Sequence, residues 1–224
     1  MDFLLKHGLM RKMARGAALA SVVGVSLLGF FVHFFPVLGS DVAISQRIQS
    51  LDPRIFEPVM ASVSFFGTPS VAAISIILSS AVFLVLSLRR EALFMLLAFA
   101  GDGANAVLKI LVNRPRPSSD VVAVMDQLTD RSFPSGHVVH YVIFFGLLYA
   151  IVSFRWKLPR WAQFAITFLF LGLLAGVAVS RVYLGVHWAT DILGGYMAGF
   201  AMLWVMLHFY LHPERSVLEK NSQR

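Results

Sequence analysis

Long apolar runs alternate with short polar segments along the chain. Six of these runs are long enough to cross a hydrocarbon core, which is about 30 Å thick; they lie at residues 17–38, 71–88, 92–108, 138–154, 161–179 and 192–211. The first could be a signal peptide, but it exceeds the usual apolar region of about 7–15 residues, which favours an uncleaved anchor. We therefore predict an all-α integral membrane protein with one domain, residues 1–224, whose six transmembrane helices form a bundle.

The segment from Gly39 to Ser70 separates the first two runs. Pro53, Pro58 and Pro69 argue against one long helix there, because proline removes a backbone donor and clashes with the preceding turn. Apolar residues nevertheless recur at roughly helical spacing, namely Ile55, Phe56, Val59, Met60 and Val63. This pattern predicts a short helix at the membrane surface.

Basic residues set the predicted orientation, since short connections rich in lysine and arginine are typically cytoplasmic. They precede the first run and follow the second and fourth: Lys6, Arg11, Lys12 and Arg15, then Arg89 and Arg90, then Arg155, Lys157 and Arg160. Alternating spans put these three places on one side of a plasma (inner) membrane. Both termini are therefore expected in the cytoplasm, including the tail with Arg215, Lys220 and Arg224. The other connections face the periplasm or the exterior.

Composition supports a membrane protein and argues against a nucleic-acid-binding protein. Hydrophobic residues make up 58% of the chain and charged residues 14%, against about 45–50% and about 25% in soluble domains. The 19 basic residues outnumber the 12 acidic ones, but they form clusters between apolar runs rather than one stripe. A nucleic-acid partner is therefore not expected. The absence of cysteine excludes disulfides and thiolate chemistry.

Three short polar segments stand out at the ends of predicted spans. They are Lys109-Ile-Leu-Val-Asn-Arg-Pro-Arg-Pro117, Pro134-Ser-Gly-His137, and Ser180-Arg181 followed by His187 and Asp191. Because successive spans alternate in direction, all three segments are expected at the outer membrane face. We predict that they meet there in one site.

The residue types in these segments suit phosphate chemistry. Lys109, Arg116 and Arg181 can surround phosphate oxygens, over which charge spreads in phosphoryl transfer. Ser135, and the amides near Gly136 at the start of a helix, can donate to the same oxyanion. These cations already neutralise a phosphate, so we expect neither a metal ion nor another cofactor.

Two histidines can take different roles. His187 and Asp191 are spaced to share a helix face, so Asp191 can orient the ring and leave its other nitrogen free to attack phosphorus. His137, from another helix, can protonate the leaving group and later activate water. This sequence of steps predicts a phosphohistidine intermediate on His187.

Lys109-x6-Arg116-Pro117, Pro134-Ser-Gly-His137 and Ser180-Arg181-x5-His187-x3-Asp191 resemble the three-part signature of the type 2 phosphatidic acid phosphatase family. The resemblance covers about residues 94–199 and implies a six-helix, metal-independent membrane phosphatase for lipid phosphates or diphosphates. It implies His187 as nucleophile, Asp191 as its partner, His137 as acid, and a phosphate site of Lys109, Arg116, Ser135, Gly136 and Arg181. Arg114 falls in the variable part of the signature, so no role is implied for it.

The expected partners are a lipid phosphate substrate and membrane lipids. Among family substrates we favour undecaprenyl diphosphate, then phosphatidylglycerol phosphate, with lipid A and phosphatidic acid as alternatives. A transporter or flippase could use the same cations to bind a headgroup, but binding alone needs no oriented nucleophile such as His187 beside Asp191. The sequence carries no signal for an oligomeric state.

Asp102, Asn105 and Lys109 share one face of the third predicted helix. A carboxylate inside a span is a functional candidate. Because the phosphate chemistry is complete without Asp102, we interpret it as a buried structural contact, for instance to Asn105 or to a backbone group. His140, one turn after His137, is interpreted as a core residue.

Overall fold

The computed structural model describes residues 2–126 and 128–211, with side chains from residue 12 onward. Over these residues every regular element is a helix. The α-helices are α1 Asp2–Phe34, α2 Gly39–Gln49, α3 Pro53–Ser64, α4 Pro69–Val85, α5 Arg89–Leu96, α6 Ala98–Val112, α7 Gly136–Arg155, α8 Arg160–Tyr183 and α9 Ala189–Leu211. The basic tail, residues 212–224, and the side chains of Lys6 and Arg11 lie outside the described part.

The helices form a multi-pass membrane protein, which confirms the predicted fold class. Five helical stretches among the described residues are long and apolar enough to cross a membrane: Lys12–Phe34, Arg89–Val112, Gly136–Arg155, Arg160–Tyr183 and Ala189–Leu211. A sixth crossing is available if Pro53–Gly67 and Pro69–Val85, which meet at 54°, act as one bent span. Apolar side chains exposed on the outer surface, such as Phe164 and Phe168 on α8, suit contact with lipid.

Proline explains where the first half departs from the predicted bounds. Helix α1 ends at Phe34 rather than at Leu38, because Pro36 disfavours helical geometry at the residue before it. Residues 39–70 hold two helices and a 3-10 turn rather than one short helix. Pro53 and Pro69 begin α3 and α4, where a missing N–H costs nothing, while Pro58 is accommodated inside α3.

Helix α7 lies at the centre of the bundle, where it contacts α5, α6, α8 and α9. Most of its residues are buried, whereas few of those of α8 are. Helix α9 approaches α7 closely at Gly199, where a Cβ atom would lie 2.8 Å from the Cβ of Val142. Small residues allow such approaches between membrane helices. This packing fixes the start of α9 beside the start of α7.

The two ends of the bundle differ in chemistry. At one end, Arg90 donates to the carbonyl of Tyr210 at 2.5 Å, and Tyr210 donates to Glu91 at 3.3 Å, which ties α5 to the end of α9. At the other end lie the last turns of α6 and α8 and the first turns of α7 and α9. The three polar segments all lie at this second end.

Candidate functional site

The first polar segment leaves the bundle through a tight helix end. Asn113 follows α6 in the left-handed conformation, with φ of 53°, and its N–H donates to the carbonyl of Lys109 at 3.0 Å. Asparagine tolerates this conformation better than most residues. The chain then turns back over the bundle, which places Arg114 and Arg116 beside the start of α9.

Asp130 joins the two cations of the first segment. Its carboxylate is bound by the Lys109 ammonium and by Arg116 Nη2, the latter at 2.6 Å. Burial alone would raise the pKa of Asp130, but the hydrogen bonds and charges of Lys109 and Arg116 lower it to about 2. Asp130 is therefore ionised, and in this structure it holds both cations in place of an external anion.

His187 lies between a cation and a carboxylate. Its Nε2 is 3.2 Å from Arg116 Nη1, and its Nδ1 is 3.4 Å from Asp191 Oδ2, which is long for a hydrogen bond. Because the Arg116 guanidinium can only donate, Nε2 must be the acceptor. The ring proton therefore belongs on Nδ1, facing Asp191. Burial first, and then the charges of Arg116, Arg181 and Lys109, lower the pKa of His187 well below its usual range. The ring is therefore neutral, with a lone pair on the nitrogen that faces the cations.

The helix carrying Asp191 begins before the predicted span of residues 192–211, but it does not reach back to His187. Helix α9 starts at Ala189, so His187 precedes it rather than sharing its face. The cause is a cap: Asp191, in the first turn, accepts the N–H of Trp188 at 2.8 Å. Asp191 Oδ2 also accepts from the hydroxyl of Ser132, and the Asp191 carbonyl accepts the N–H of Ser135 at 3.1 Å. Asp191 thus connects the starts of α7 and α9.

Arg114 is fully buried between two carboxylates. Its Nη1 lies 2.6 Å from Asp191 Oδ1, and its Nη2 lies 2.8 Å from Asp41 Oδ2. Its Nε donates to the carbonyl of Pro36 at 2.9 Å. Asp41 also accepts from the N–H and hydroxyl of Thr190, at 3.0 and 2.6 Å. This Asp41–Arg114–Asp191 network ties surface helix α2 to the site.

Two other predicted phosphate ligands have unused donors. Arg181 is buried; its Nη1 donates to Ser64 at 2.5 Å, while its Nε and Nη2 have no partner among the described residues. The buried hydroxyl of Ser135 is likewise unpaired within the described ranges, at the residue before α7. Unpaired buried donors are costly, and the free amides of a helix start favour an anion.

A cavity of about 470 Å³ unites most of the predicted site. Its lining includes Lys109, Arg116, Gly136, His137 and His187. The His137 ring packs against the 3-10 turn at Gly67, where any side chain would overlap it. Ser135, Arg181 and Asp191 are not among the residues that line it.

The site can hold a tetrahedral oxyanion and offer it a neutral histidine nitrogen. Its cations and unused donors are the groups that bind phosphate oxygens. Among the side chains that the structure describes, no group of three or more histidine, aspartate or glutamate residues could hold a metal ion.

Sequence reasoning missed Asp41, Asp130 and Ser132, and it gave Arg114 no role. Arg114 was visible as a cation beside Arg116, yet nothing local distinguishes a buried arginine from a solvated one. Asp130 lies in a polar loop with other aspartates, and no spacing singles it out.

The chain resembles known proteins in both sequence and structure. A sequence model of the PAP2 superfamily matches residues 90–214. Phosphatidylglycerophosphatase B of Bacillus subtilis is 30% identical over 194 residues, which cover 83% of this chain and 93% of that protein. An undecaprenyl-diphosphatase of Sulfolobus acidocaldarius is 34% identical over 73 residues, 32% of this chain and 30% of that protein.

Two solved structures share the fold. A transmembrane PAP2-type phosphatidylglycerolphosphate phosphatase from Bacillus subtilis superposes with a TM-score of 0.74 at 27% identity, covering 88% of this chain and 98% of its own. LpxE of Aquifex aeolicus superposes with a TM-score of 0.60 at 18% identity, covering 77% and 98%. At 18% identity, the match to LpxE supports a shared fold only.

Arg114→Met should strongly destabilise the protein, because it leaves two buried carboxylates without their cation. Breaking a buried ion pair from one side costs about 3–5 kcal/mol. Thermal unfolding in detergent measures the effect, with exposed Arg47→Met on α2 as the matched control. Adding Asp41→Asn should restore part of the loss. A midpoint for Arg114→Met equal to that of the control would contradict the network.

Asp130→Asn should tighten the binding of inorganic phosphate, because phosphate must otherwise displace an ionised carboxylate from Lys109 and Arg116. Partly exposed ion pairs are worth about 0.2–1 kcal/mol each, so we expect about fivefold tighter binding. Calorimetry on the detergent-solubilised protein measures it, with exposed Asp120→Asn in the same loop as control. The difference should persist from about pH 5 upward, since Asp130 stays ionised there. Weaker binding would mean that Asp130 instead positions the cations.

Proposed function

Because the chain belongs to the PAP2 superfamily and is a membrane lipid phosphatase, we propose that it releases phosphate from a lipid phosphate through a phosphohistidine on His187. The observation that carries the mechanism is the setting of that ring. Its neutral Nε2 faces Arg116 at 3.2 Å, and its Nδ1 faces Asp191 at 3.4 Å. A histidine that only bound a headgroup would need no carboxylate behind it.

In the first step the lone pair of His187 Nε2 forms a bond to phosphorus, and the bond from phosphorus to the lipid oxygen breaks. The leaving oxygen takes a proton from His137. In the second step a water molecule attacks phosphorus and gives a proton to His137. The nitrogen–phosphorus bond then breaks, its electron pair returns to Nε2, and orthophosphate leaves. Both histidines end in their starting states.

The other predicted residues stabilise charge in this scheme. Lys109, Arg116 and Arg181 neutralise the phosphoryl oxygens, without need of a metal ion. Ser135 and the amides from Gly136 onward donate to the same oxygens. Asp191 orients the His187 ring and stabilises positive charge on it. Arg114 acts as a positioning residue, because it fixes Asp191 from the side opposite His187.

Phosphatidylglycerol phosphate becomes the first candidate substrate, ahead of undecaprenyl diphosphate. This chain aligns with 93% of the length of the phosphatidylglycerophosphatase. It aligns with only 30% of the length of the undecaprenyl-diphosphatase. Undecaprenyl diphosphate stays the second candidate because the undecaprenyl-diphosphatase is 34% identical to this chain over the 73 residues that match. Phosphatidic acid and lipid A complete the set to be tested.

Basic residues support a site that faces away from the cytoplasm, in a plasma (inner) membrane. Arg89 and Arg90 begin the Arg89–Val112 span, and Lys109 lies near its other end. Arg155 ends α7, whose first residue is Gly136. The excess of basic residues outside the site is thus at the opposite end of the bundle, as expected of the cytoplasmic side.

Phosphate release from the four lipids, by purified protein in detergent with a chelator present, tests the reaction. His187→Ala should abolish turnover because no other nucleophile is provided. His137→Ala should accumulate phosphorylated protein when the leaving group needs no proton. His208→Ala, at the far end of α9, is the control. Protonation of His187 should limit the rate only below pH 6.5, given its lowered pKa. Full activity in His187→Ala would refute the nucleophile, and a wild type inactive on all four lipids would refute the function.

Cysteine labelling tests the orientation, since the natural chain has no cysteine to interfere. Ser119→Cys lies in the exposed loop beside the site, and Ser87→Cys lies in the exposed turn before α5. In intact cells an impermeant maleimide should label the first and spare the second, and lysis should expose both. The reverse pattern would overturn the proposed orientation.

A further inference from the structure

The cavity does not end at the phosphate-binding residues. Beyond Lys109 and His137 it continues between α6, α7 and the start of α4. Its walls there are mostly small or apolar, including Pro69, Ala72 and Phe99, but three polar residues also line it: Asp102, Asn105 and His140. We call these three the inner polar group.

Helical register places the inner polar group below the phosphate site. Asn105 is one turn before Lys109 on α6, and Asp102 is nearly two turns before it. With about 1.5 Å of rise per residue, Asp102 lies about 10 Å further toward the bilayer centre than Lys109. His140 is one turn beyond His137 on α7. Polar side chains therefore continue from the phosphate site toward the bilayer centre, on the side of the cavity that carries His137.

The inner polar group carries hydrogen-bonding capacity that the protein does not use. His140 Nδ1 lies 3.4 Å from Asp102 Oδ2, and the His140 ring stacks on Phe144 at 5.3 Å. His140 Nε2 and Asn105 Oδ1 are buried and have no partner among the described residues. The Asp102 side chain is 35% exposed, although it lies within a span. It is thus more than the buried structural contact expected from sequence.

The proposed reaction does not need these residues for proton transfer. Each proton that His137 gives to the leaving oxygen is returned by the attacking water, so the cycle closes without a relay from Asp102 or His140. An ionisable group inside a membrane span is expensive to keep. A role in contacting the substrate accounts for its place on the cavity wall.

We propose that the inner polar group binds a hydroxyl-bearing, uncharged carbon chain attached directly to the scissile phosphate, as in a glycerol phosphate monoester. With the His140 Nδ1 proton facing Asp102, the group offers three acceptors: Asp102, His140 Nε2 and Asn105 Oδ1. Acceptors match hydroxyl groups and repel the oxygens of a second phosphate that is bonded directly to the first, as in a diphosphate. The inference rests on the proposed function and selects glycerol phosphates over prenyl diphosphates at the same site.

A pair of lipids that differ by one hydroxyl tests the proposal: 1-acylglycerol 3-phosphate and its analogue without the 2-hydroxyl. Wild type should prefer the hydroxylated lipid in kcat/KM by about tenfold, the value of one hydrogen bond to a charged group. Asp102→Ala should reduce this preference to near unity and should raise the relative rate on undecaprenyl diphosphate. Asp120→Ala, in the exposed loop, should leave both unchanged.

Two further variants keep the test informative if Asp102→Ala does not fold. Asp102→Asn keeps an acceptor and should retain part of the preference, while His140→Phe keeps the stack on Phe144 and should lose part of it. An unchanged preference in the folded variants, or an equal loss on both lipids, would overturn the proposal. If wild type hydrolyses these lipids without preferring the hydroxyl, the subsite fails while the phosphatase function stands. If it hydrolyses no lipid, the function itself fails.

Discussion

The buried ion network of Asp41, Arg114 and Asp191 supports the rest of the site. The Arg114 guanidinium binds both carboxylates, at 2.8 Å from Asp41 and 2.6 Å from Asp191. The three charges are buried together, where an unpaired charge would be costly. Buried ion pairs add little net stability, but losing one partner is expensive. Because Asp191 also caps α9, accepts from Ser135 and lies behind His187, the arginine that fixes it sets the geometry of two helix starts and of the His187 ring.

The fold and most of the site could be read from the sequence because both depend on periodic or local features. Apolar run length located the membrane helices, and alternation of their ends was sufficient to bring Lys109, His137 and His187 to one end. Proline caused the errors in the first half of the chain, since its effect depends on position: Pro53 and Pro69 start helices, while Pro58 is tolerated inside one. The start of α9 was misplaced because its cap is a side-chain contact from Asp191 to Trp188.

The long-range pairing of charges could not be predicted from the sequence. Arg114 and Asp41 are 73 residues apart and lie in segments with no shared pattern. Asp130 meets Lys109 and Arg116 only because the loop folds back over the end of α6. In each case the sequence shows a charged residue in a polar stretch, and only the folded structure shows which partner it meets. The sequence thus pointed to Lys109, Arg116, His137 and His187, which line one cavity, but not to Asp41 and Asp130, which pair with Arg114 and Arg116.

The same network has a consequence for biosynthesis. Asp41 lies in α2, Arg114 follows α6 and Asp191 lies in the first turn of α9. During synthesis the first two can pair, but the third partner arrives only when α9 is inserted. Until then the N–H of Ser135 lacks its acceptor on Asp191, and His187 has no carboxylate behind it. Assembly of the site therefore waits for the insertion of α9, and a chain stopped before α9 carries Lys109, Arg114 and Arg116 without the carboxylate of Asp191.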